Sequence, residues 1–260
     1  MKYIELGNTA WHYEEKGSGT PLVLVHGFPM DHRIWKEQLE GLAGMCRVIA
    51  VDLKGFGKSR SNEAFTIDSM ADEVIAFVKA VNAYPCYLAG LSMGGYIALS
   101  LAVRYPEALK GLIIVSSKSE ADPPAGKEGR QKMAQLAQEK GNAPVVEQML
   151  TRVLTEETIK GKAELVLRMR QIMEACPANT IANASFAMRD RVDRTADLPG
   201  LKMPVLVVMG ARDSLLPLEG GRKLAQACAN GRLVVIEGSG HVPCMENPGA
   251  TNAVLAEFVR

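Results

Sequence analysis

The segment at residues 90–95, Gly-Leu-Ser-Met-Gly-Gly, constrains the fold more than any other, because it lies between an apolar run at 86–89 and a helix-like run at 96–101. This order predicts a strand, a sharp turn and a helix, with Ser92 at the apex of the turn. The flanking glycines remove Cβ atoms that would collide where strand and helix converge, and a strained backbone holds the serine hydroxyl out for attack. Ser92 is therefore the candidate nucleophile rather than a simple helix cap.

A serine is a weak nucleophile at neutral pH, so this chemistry needs a base and a carboxylate that orients the base. His241 lies in a loop after the β-like run at 233–236, and Asp213 follows the buried-strand run at 205–209. The carboxyl ends of parallel strands meet at one edge of a sheet, so both side chains can converge on Ser92. We expect His241 to be the base and Asp213 its acid.

The acid has a second candidate source. Glu120 and Asp122 follow the β-like run at 111–116, whose carboxyl end lies at the same edge of the predicted sheet. In that case Asp213 would only cap the segment that follows it. We favour Asp213 and keep Glu120 and Asp122 as the alternative.

Acyl transfer also needs donors for the oxyanion. The buried-strand run at 22–25 is followed at 26–29 by His-Gly-Phe-Pro, where the glycine lets the backbone turn and direct the Phe28 N–H inward. The second donor is expected to be the N–H of Met93, at the amino end of the helix after Ser92. Two backbone amides would then face the developing negative charge.

These motifs, in this order, resemble those of the α/β-hydrolase superfamily along essentially the whole chain. The segments that carry the resemblance are HGFP at 26–29, DLKGFGKS at 52–59, GLSMGG at 90–95, GARD at 210–213 and GH at 240–241. Within the superfamily, the chain is most similar to small serine esterases and to 3-oxoadipate enol-lactonase-like enzymes. The resemblance implies an α/β-hydrolase fold and a Ser-Asp-His catalytic triad.

The pattern along the chain predicts an α/β protein with a mostly parallel sheet and helices on both faces. β-like runs alternate with helix-like segments, except between residue 117 and about 198, where only helical periodicity is found. We therefore predict an α/β-hydrolase core at residues 1–117 and 198–260 and an inserted helical cap at 118–197. Residues 2–14 and 20–25 are expected to form two strands that residues 16–19 connect as a hairpin. Residues 122–126 and 197–200 are expected to form the two hinges of the cap, the first of them mobile.

Composition argues against several classes of partner. The 260 residues carry a formal net charge of +1, with basic and acidic residues interspersed, so neither nucleic acid nor an anionic membrane surface is indicated. No apolar run is long enough to cross a bilayer and the amino terminus lacks a signal peptide pattern, so we expect a cytoplasmic protein. The five cysteines show neither pairing nor metal-ligand spacing, and we expect no disulfide, metal or cofactor.

Other residues have simpler expected roles. Asp52 is expected to be structural, a turn-former next to two glycines, and His32 to be a surface histidine rather than a substrate contact. The methionines of the predicted cap could line an adaptable apolar pocket, but packing in the core is the favoured role. They are Met133, Met149, Met169, Met173 and Met188.

The predicted function is a cofactor-independent serine hydrolase that cleaves small carboxylic esters or lactones through an acyl-enzyme on Ser92, with a small molecule as its only partner. Two enzymatic alternatives use the same residues: a 3-oxoadipate enol-lactonase-like activity and a cofactor-free perhydrolase or haloperoxidase activity. A ligand receptor built on this fold is the alternative from a different class. The sequence leaves the natural substrate and the oligomeric state open.

Overall fold

The computed structural model describes residues 1–260 and contains one sheet of eight strands in the order β1-β2-β4-β3-β5-β6-β7-β8. The strands are β1 (Lys2–Leu6), β2 (Thr9–Lys16), β3 (Pro21–Val25), β4 (Arg47–Val51), β5 (Cys86–Leu91), β6 (Leu109–Val115), β7 (Val205–Gly210) and β8 (Gly231–Ile236). The β1–β2 and β2–β4 pairs are antiparallel, and all others are parallel. The predicted mostly parallel sheet is confirmed.

Six helices are associated with the sheet: α1 (Lys36–Gly41), α2 (Ile67–Ala80), α3 (Met93–Arg104), α9 (Leu218–Ala227), α10 (Pro243–Glu246) and α11 (Pro248–Phe258). The connection from β3 to β4 runs in the opposite direction along the sheet to the connections from β4 to β5 and from β5 to β6. Because crossovers are right-handed, α1 lies on one face and α2 and α3 on the other. Helix α11 packs against α1, and α2 packs against α3, so both faces are covered.

The prediction of a hairpin across residues 16–19 is wrong. Strands β2 and β3 do not pair, because β4 lies between them and bonds to both. The β-hairpin lies earlier, between β1 and β2, where Leu6 pairs with Thr9 across a two-residue turn. The first turn residue, Gly7, has φ of +58°, which glycine adopts readily. Thus the run at 2–14, predicted as one strand, contains two.

Five helices lie between β6 and β7: α4 (Pro124–Lys140), α5 (Ala143–Val153), α6 (Glu156–Gly161), α7 (Ala163–Glu174) and α8 (Ala178–Arg189). They pack on one another, α4 against α8 and α5, and α7 against α5 and α6. Polar contacts attach them to the rest of the molecule, including the ion pair of Arg168 with Glu37 at 2.6 Å. The predicted mobile hinge at 122–126 is not supported, because Asp122 is buried in ion pairs and α4 begins at Pro124.

The core is built around the central parallel strands. Residues 22–25 of β3 are fully buried, as expected for a strand with a parallel neighbour on each side and helices on both faces. Loops that leave the carboxyl ends of β3, β5, β7 and β8 carry the predicted site residues, so these ends define one functional edge. None of the helices combines the length and the apolar character required to cross a membrane.

Candidate active site

Ser92 occupies a strained turn between the end of β5 and the start of α3. Its φ of 52° and ψ of −111° lie in a region that side chains with a Cβ rarely adopt, at a typical cost of about 1–3 kcal/mol. The glycines around it permit this turn: a Cβ at Gly90 would lie 2.1 Å from the Gly94 carbonyl oxygen, and one at Gly94 would lie 2.5 Å from the Val25 carbonyl oxygen. The Ser92 side chain makes no helix-capping hydrogen bond.

His241 and Asp213 form a buried pair. Nδ1 of His241 lies 2.8 Å from Oδ2 of Asp213, and their side chains are 3% and 1% exposed. The other oxygen of Asp213 accepts hydrogen bonds from the backbone N–H groups of Leu215 and Leu216, so the carboxylate is fixed in orientation. The backbone N–H of His241 donates to the carbonyl of Val153 in α5.

Ser92, His241 and Phe28 line the same cavity. It has a volume of about 410 Å³. The structure therefore brings together the nucleophile and base candidates, which lie far apart in the sequence, with the Asp213 carboxylate behind the imidazole. A serine and an imidazole that line one cavity, with the imidazole held by a buried carboxylate, are the groups needed for acyl transfer.

The two candidate oxyanion donors lie on either side of the turn at Ser92. Met93 is the first residue of α3, and its N–H, like that of Phe28, has no acceptor within the protein. The loop at 26–29 lies directly against the turn, since a Cβ at Gly27 would come within 3.2 Å of the Ser92 Cβ atom. Both amides are thus free to donate to a bound oxygen atom.

His26 fixes this loop, a role that the sequence analysis missed. Its Nε2 atom accepts a hydrogen bond from the Leu53 N–H at 3.1 Å, so its Nδ1 carries the proton and donates to the Gly27 carbonyl at 2.9 Å. Complete burial lowers the pKa of His26, which favours this neutral form. The position of His26 immediately before Gly27 was the only signal in the sequence.

Neither alternative acid contacts the histidine. Asp122 is occupied by cationic side chains, with Arg191 Nη2 at 2.8 Å from Oδ1 and Arg130 Nε at 3.1 Å from Oδ2. Glu120 is half-buried, and it is its backbone carbonyl that accepts a hydrogen bond from Arg191. The carboxylate that hydrogen-bonds to His241 is that of Asp213.

Asp52 and His32 form a second buried pair, away from the cavity lining. Asp52 Oδ1 accepts from the His32 backbone N–H and lies 2.6 Å from His32 Nδ1, while Oδ2 accepts from the Lys58 N–H. Asp52 thus holds a turn, but the prediction that His32 lies on the surface is wrong, because it is 4% exposed. Ligand atoms of Asp31, His32 and Asp52 lie within 4.8 Å of one another, yet Asp31 is bound by Arg33 and the other two by each other. The atoms of this cluster that could ligate a metal ion are therefore already engaged in ion pairs within the protein.

The predicted cap contributes both apolar and cationic side chains to the cavity. Met133, Met149 and Met188 line it, but Met149 and Met188 are also buried in the core together with Met169 and Met173, so the favoured packing role holds for four of the five. The sequence analysis also missed three basic lining residues, which no spacing pattern marks. They are Lys118, Arg130 and Arg152, and they line the cavity together with Asp122.

A family model described as the alpha/beta hydrolase fold matches residues 20–248, and the chain belongs to this family. Its relatives include a pimeloyl-acyl-carrier-protein methyl ester esterase of Aeromonas hydrophila, 29% identical over 95% of this chain and 98% of that protein. A 3-oxoadipate enol-lactonase of Acinetobacter baylyi is 27% identical over 91% of this chain and 89% of its own. The predicted similarity to esterases and enol-lactonases is confirmed.

A solved structure shows the same relationship in three dimensions. The thermophilic esterase of Thermogutta terrifontis, determined with malate bound, superimposes with a TM-score of 0.96 at 33% identity. The alignment covers 100% of this chain and 98% of the esterase. The protein is accordingly a hydrolase of the α/β family and is similar to esterases of that family.

Proposed function

We propose that the protein hydrolyses small carboxylic esters or lactones through an acyl-enzyme on Ser92. The observation that carries this proposal is the His241–Asp213 pair, which borders the same cavity as a serine on a strained strand-to-helix turn. The esterase and enol-lactonase names of its relatives support an ester or lactone as the substrate.

In this mechanism the Ser92 hydroxyl attacks the acyl carbon while its proton passes to Nε2 of His241. His241 then protonates the departing alkoxide, which leaves an acyl-Ser92 ester. A water molecule gives a proton to the same nitrogen and attacks the ester, and His241 then returns that proton to the Ser92 oxygen as the bond to the acyl carbon breaks and the acid is released. Asp213 keeps Nε2 free for these transfers, because its contact at 2.8 Å holds the other imidazole proton on Nδ1.

The backbone N–H groups of Phe28 and Met93 are proposed as the oxyanion hole. They are preorganised by the protein, the first through the His26–Gly27 contact and the second at the start of α3, where the helix dipole adds to the attraction. In other serine hydrolases the loss of one such donor costs on the order of 3 kcal/mol of transition-state stabilisation. This chemistry needs no metal or cofactor.

Residues 118–197 are proposed to act as the cap of the site. Helices α4, α5 and α8 each contribute side chains to the cavity that contains Ser92, so the cap would decide which esters fit. This separation of roles is supported by the positions of Ser92, Asp213 and His241, which all lie outside residues 118–197 in loops that follow strands of the sheet. We also propose a cytoplasmic location, which suits five cysteines that are all free thiols.

The direct test is labelling with a fluorophosphonate probe, followed by a panel of short-chain esters and lactones. Wild-type protein is expected to be labelled and to turn over members of the panel. Ser92→Ala should lose both properties and unfold at the same temperature as wild type, whereas the exposed control Ser18→Ala should retain both. Turnover of lactones alone would favour the enol-lactonase activity, and peroxide-dependent turnover the perhydrolase activity. Labelling without any turnover would favour the ligand receptor.

A further inference from the structure

The wall of the catalytic cavity has an excess of positive charge. Lys118, Arg130 and Arg152 all line it, and the only acidic side chain among its lining residues is Asp122. An apolar acyl chain would form no hydrogen bond or ion pair with these cations. Lys118 and Arg130 are half-buried there, which is unfavourable for a cation beside a substrate pocket unless an anion accompanies it, whereas Arg152 is exposed.

Asp122 does not neutralise the cations of this wall, because Arg191 already balances its negative charge. Arg191, whose side chain is 2% exposed and does not line the cavity, approaches Asp122 Oδ1 to 2.8 Å. Burial alone would raise the pKa of the Asp122 carboxyl, but the hydrogen bond from Arg191 and the charge of Arg130 outweigh it and hold that pKa well below its usual range. One permanent carboxylate is thus shared among several cations.

Two guanidinium groups retain unused donors at the cavity. Arg130 contacts Asp122 through Nε only, which leaves both of its terminal nitrogens without an acceptor. Arg152, near the end of α5, makes no ion pair, and its side chain donates no hydrogen bond within the protein. A carboxylate matches the planar fork of a guanidinium group, because it can accept two parallel hydrogen bonds.

We propose that the substrate is an anionic ester or lactone, carrying a carboxylate that Arg130 and Arg152 bind while its acyl carbon is presented to Ser92. This inference rests on the proposed hydrolase function and narrows its substrate class. Lys118, whose ammonium lies 3.2 Å from Asp122 Oδ1, adds to the positive potential but is already engaged. The carboxylate is recognised by charge and by the guanidinium fork, so a neutral amide of the same shape should bind less well.

The test compares substrates that differ only in charge. The p-nitrophenyl monoester of glutaric acid is paired with that of glutaramic acid, and 4-carboxyphenyl butyrate with 4-carbamoylphenyl butyrate, which places the carboxylate on the acyl half or on the alcohol half. Wild-type kcat/KM is expected to favour the carboxylate in at least one pair. In Arg152→Gln this ratio should fall about tenfold or more, as expected for losing a hydrogen bond between charged groups. Arg152→Lys should recover part of it.

The control is Arg232→Gln, which removes the same charge from an exposed arginine of β8 that is paired with Glu257 of α11. Its ratio should equal that of wild type. If wild type prefers the amide in both pairs, or if Arg152→Gln leaves the ratio unchanged, the assignment of an anionic substrate is wrong although the protein is an esterase.

A binding measurement separates this inference from the hydrolase proposal. Calorimetric titration of glutarate into Ser92→Ala requires no turnover, and binding that disappears in Ser92→Ala/Arg152→Gln supports the anion site even if no ester in the panel is cleaved. If neither glutarate binding nor ester turnover is found, both proposals fail.

Discussion

Arg191 donates a hydrogen bond to Asp122 across the base of the inserted helices, from Nη2 to Oδ1 at 2.8 Å. Asp122 precedes α4 and Arg191 follows α8, so the pair joins the two ends of a long excursion of the chain. Arg191 also donates to the Met188 and Glu120 carbonyls, and its guanidinium lies 4.2 Å from the centre of the Tyr96 ring. The segment is therefore latched where a mobile hinge was expected.

Replacing one member of this pair should destabilise the protein. In Asp122→Asn the buried Arg191 loses its counterion, and we expect a loss of about 3 kcal/mol in the free energy of unfolding, measured by urea denaturation at pH 7. Because the pKa of Asp122 is lowered in the folded state, its contribution is complete above the ordinary aspartate pKa and is lost as pH falls through the folded value. Glu120→Gln, which removes a neighbouring half-buried carboxylate, should have little effect. Equal stability of the two variants would contradict this role.

Asp213→Asn should slow ester turnover by about four orders of magnitude, as an amide at this position favours the wrong histidine tautomer. The expected change is in kcat, measured at a temperature where the variant is folded. Asp122→Asn serves as the comparison, because it should lower stability far more than the rate per folded molecule. A nearly wild-type rate for Asp213→Asn, together with loss of activity in Glu120→Gln or Asp122→Asn, would move the acid to the loop after β6.

The His32–Asp52 pair predicts a pH dependence of stability. Burial disfavours the charged form of His32, but the hydrogen bond and charge of Asp52 outweigh it and raise the pKa of His32, with smaller contributions from Asp31 and Glu14. Its stabilisation is therefore complete below the ordinary histidine pKa of about 6.5 and is lost as pH rises through the folded value. The difference in unfolding free energy between wild type and His32→Gln should be larger at pH 5.5 than at pH 9.

A matched control removes the weaker neighbour instead. Glu14 lies 3.7 Å from His32 Nε2 and its side chain is 41% exposed, so Glu14→Gln should preserve most of this pH dependence. A difference between wild type and His32→Gln that stays constant or grows towards pH 9 would show that the pair is not charged in the folded protein.

Short acyl chains should be preferred over long ones. A cavity of about 410 Å³ bordered by Met133, Met149 and Met188 suits a small substrate, and a palmitoyl chain would exceed it. Among p-nitrophenyl esters, kcat/KM is expected to peak between acetyl and hexanoyl. A value that continues to rise up to palmitoyl would require a tunnel that the cavity does not provide.

Local patterns were sufficient to predict most elements, and pairing over long distances explains the failures. The turn at Ser92 is encoded within a few residues, by glycines that a strand and a helix require. The false hairpin at 16–19 arose because β4, more than twenty residues further on, takes the place next to β2.

The same limit applies to the candidate site. The triad candidates follow strand ends, so their meeting could be expected from the rules of parallel sheets. The burial of His32 depends on Asp52, 20 positions away, and the state of Asp122 depends on Arg191, 69 positions away. Such partners are recognised only when the chain has folded, because nothing in the intervening sequence specifies them.

The latch between Asp122 and Arg191 has a consequence for how such a protein can diversify. Because this ion pair holds the two ends of the inserted segment side by side, the segment between them can become longer, become shorter or be replaced while β6 and β7 remain paired. Loop-closure entropy grows only slowly with length, so such exchanges carry a small thermodynamic penalty. New selectivity can therefore arise by swapping one continuous stretch of the gene while the reacting groups stay untouched.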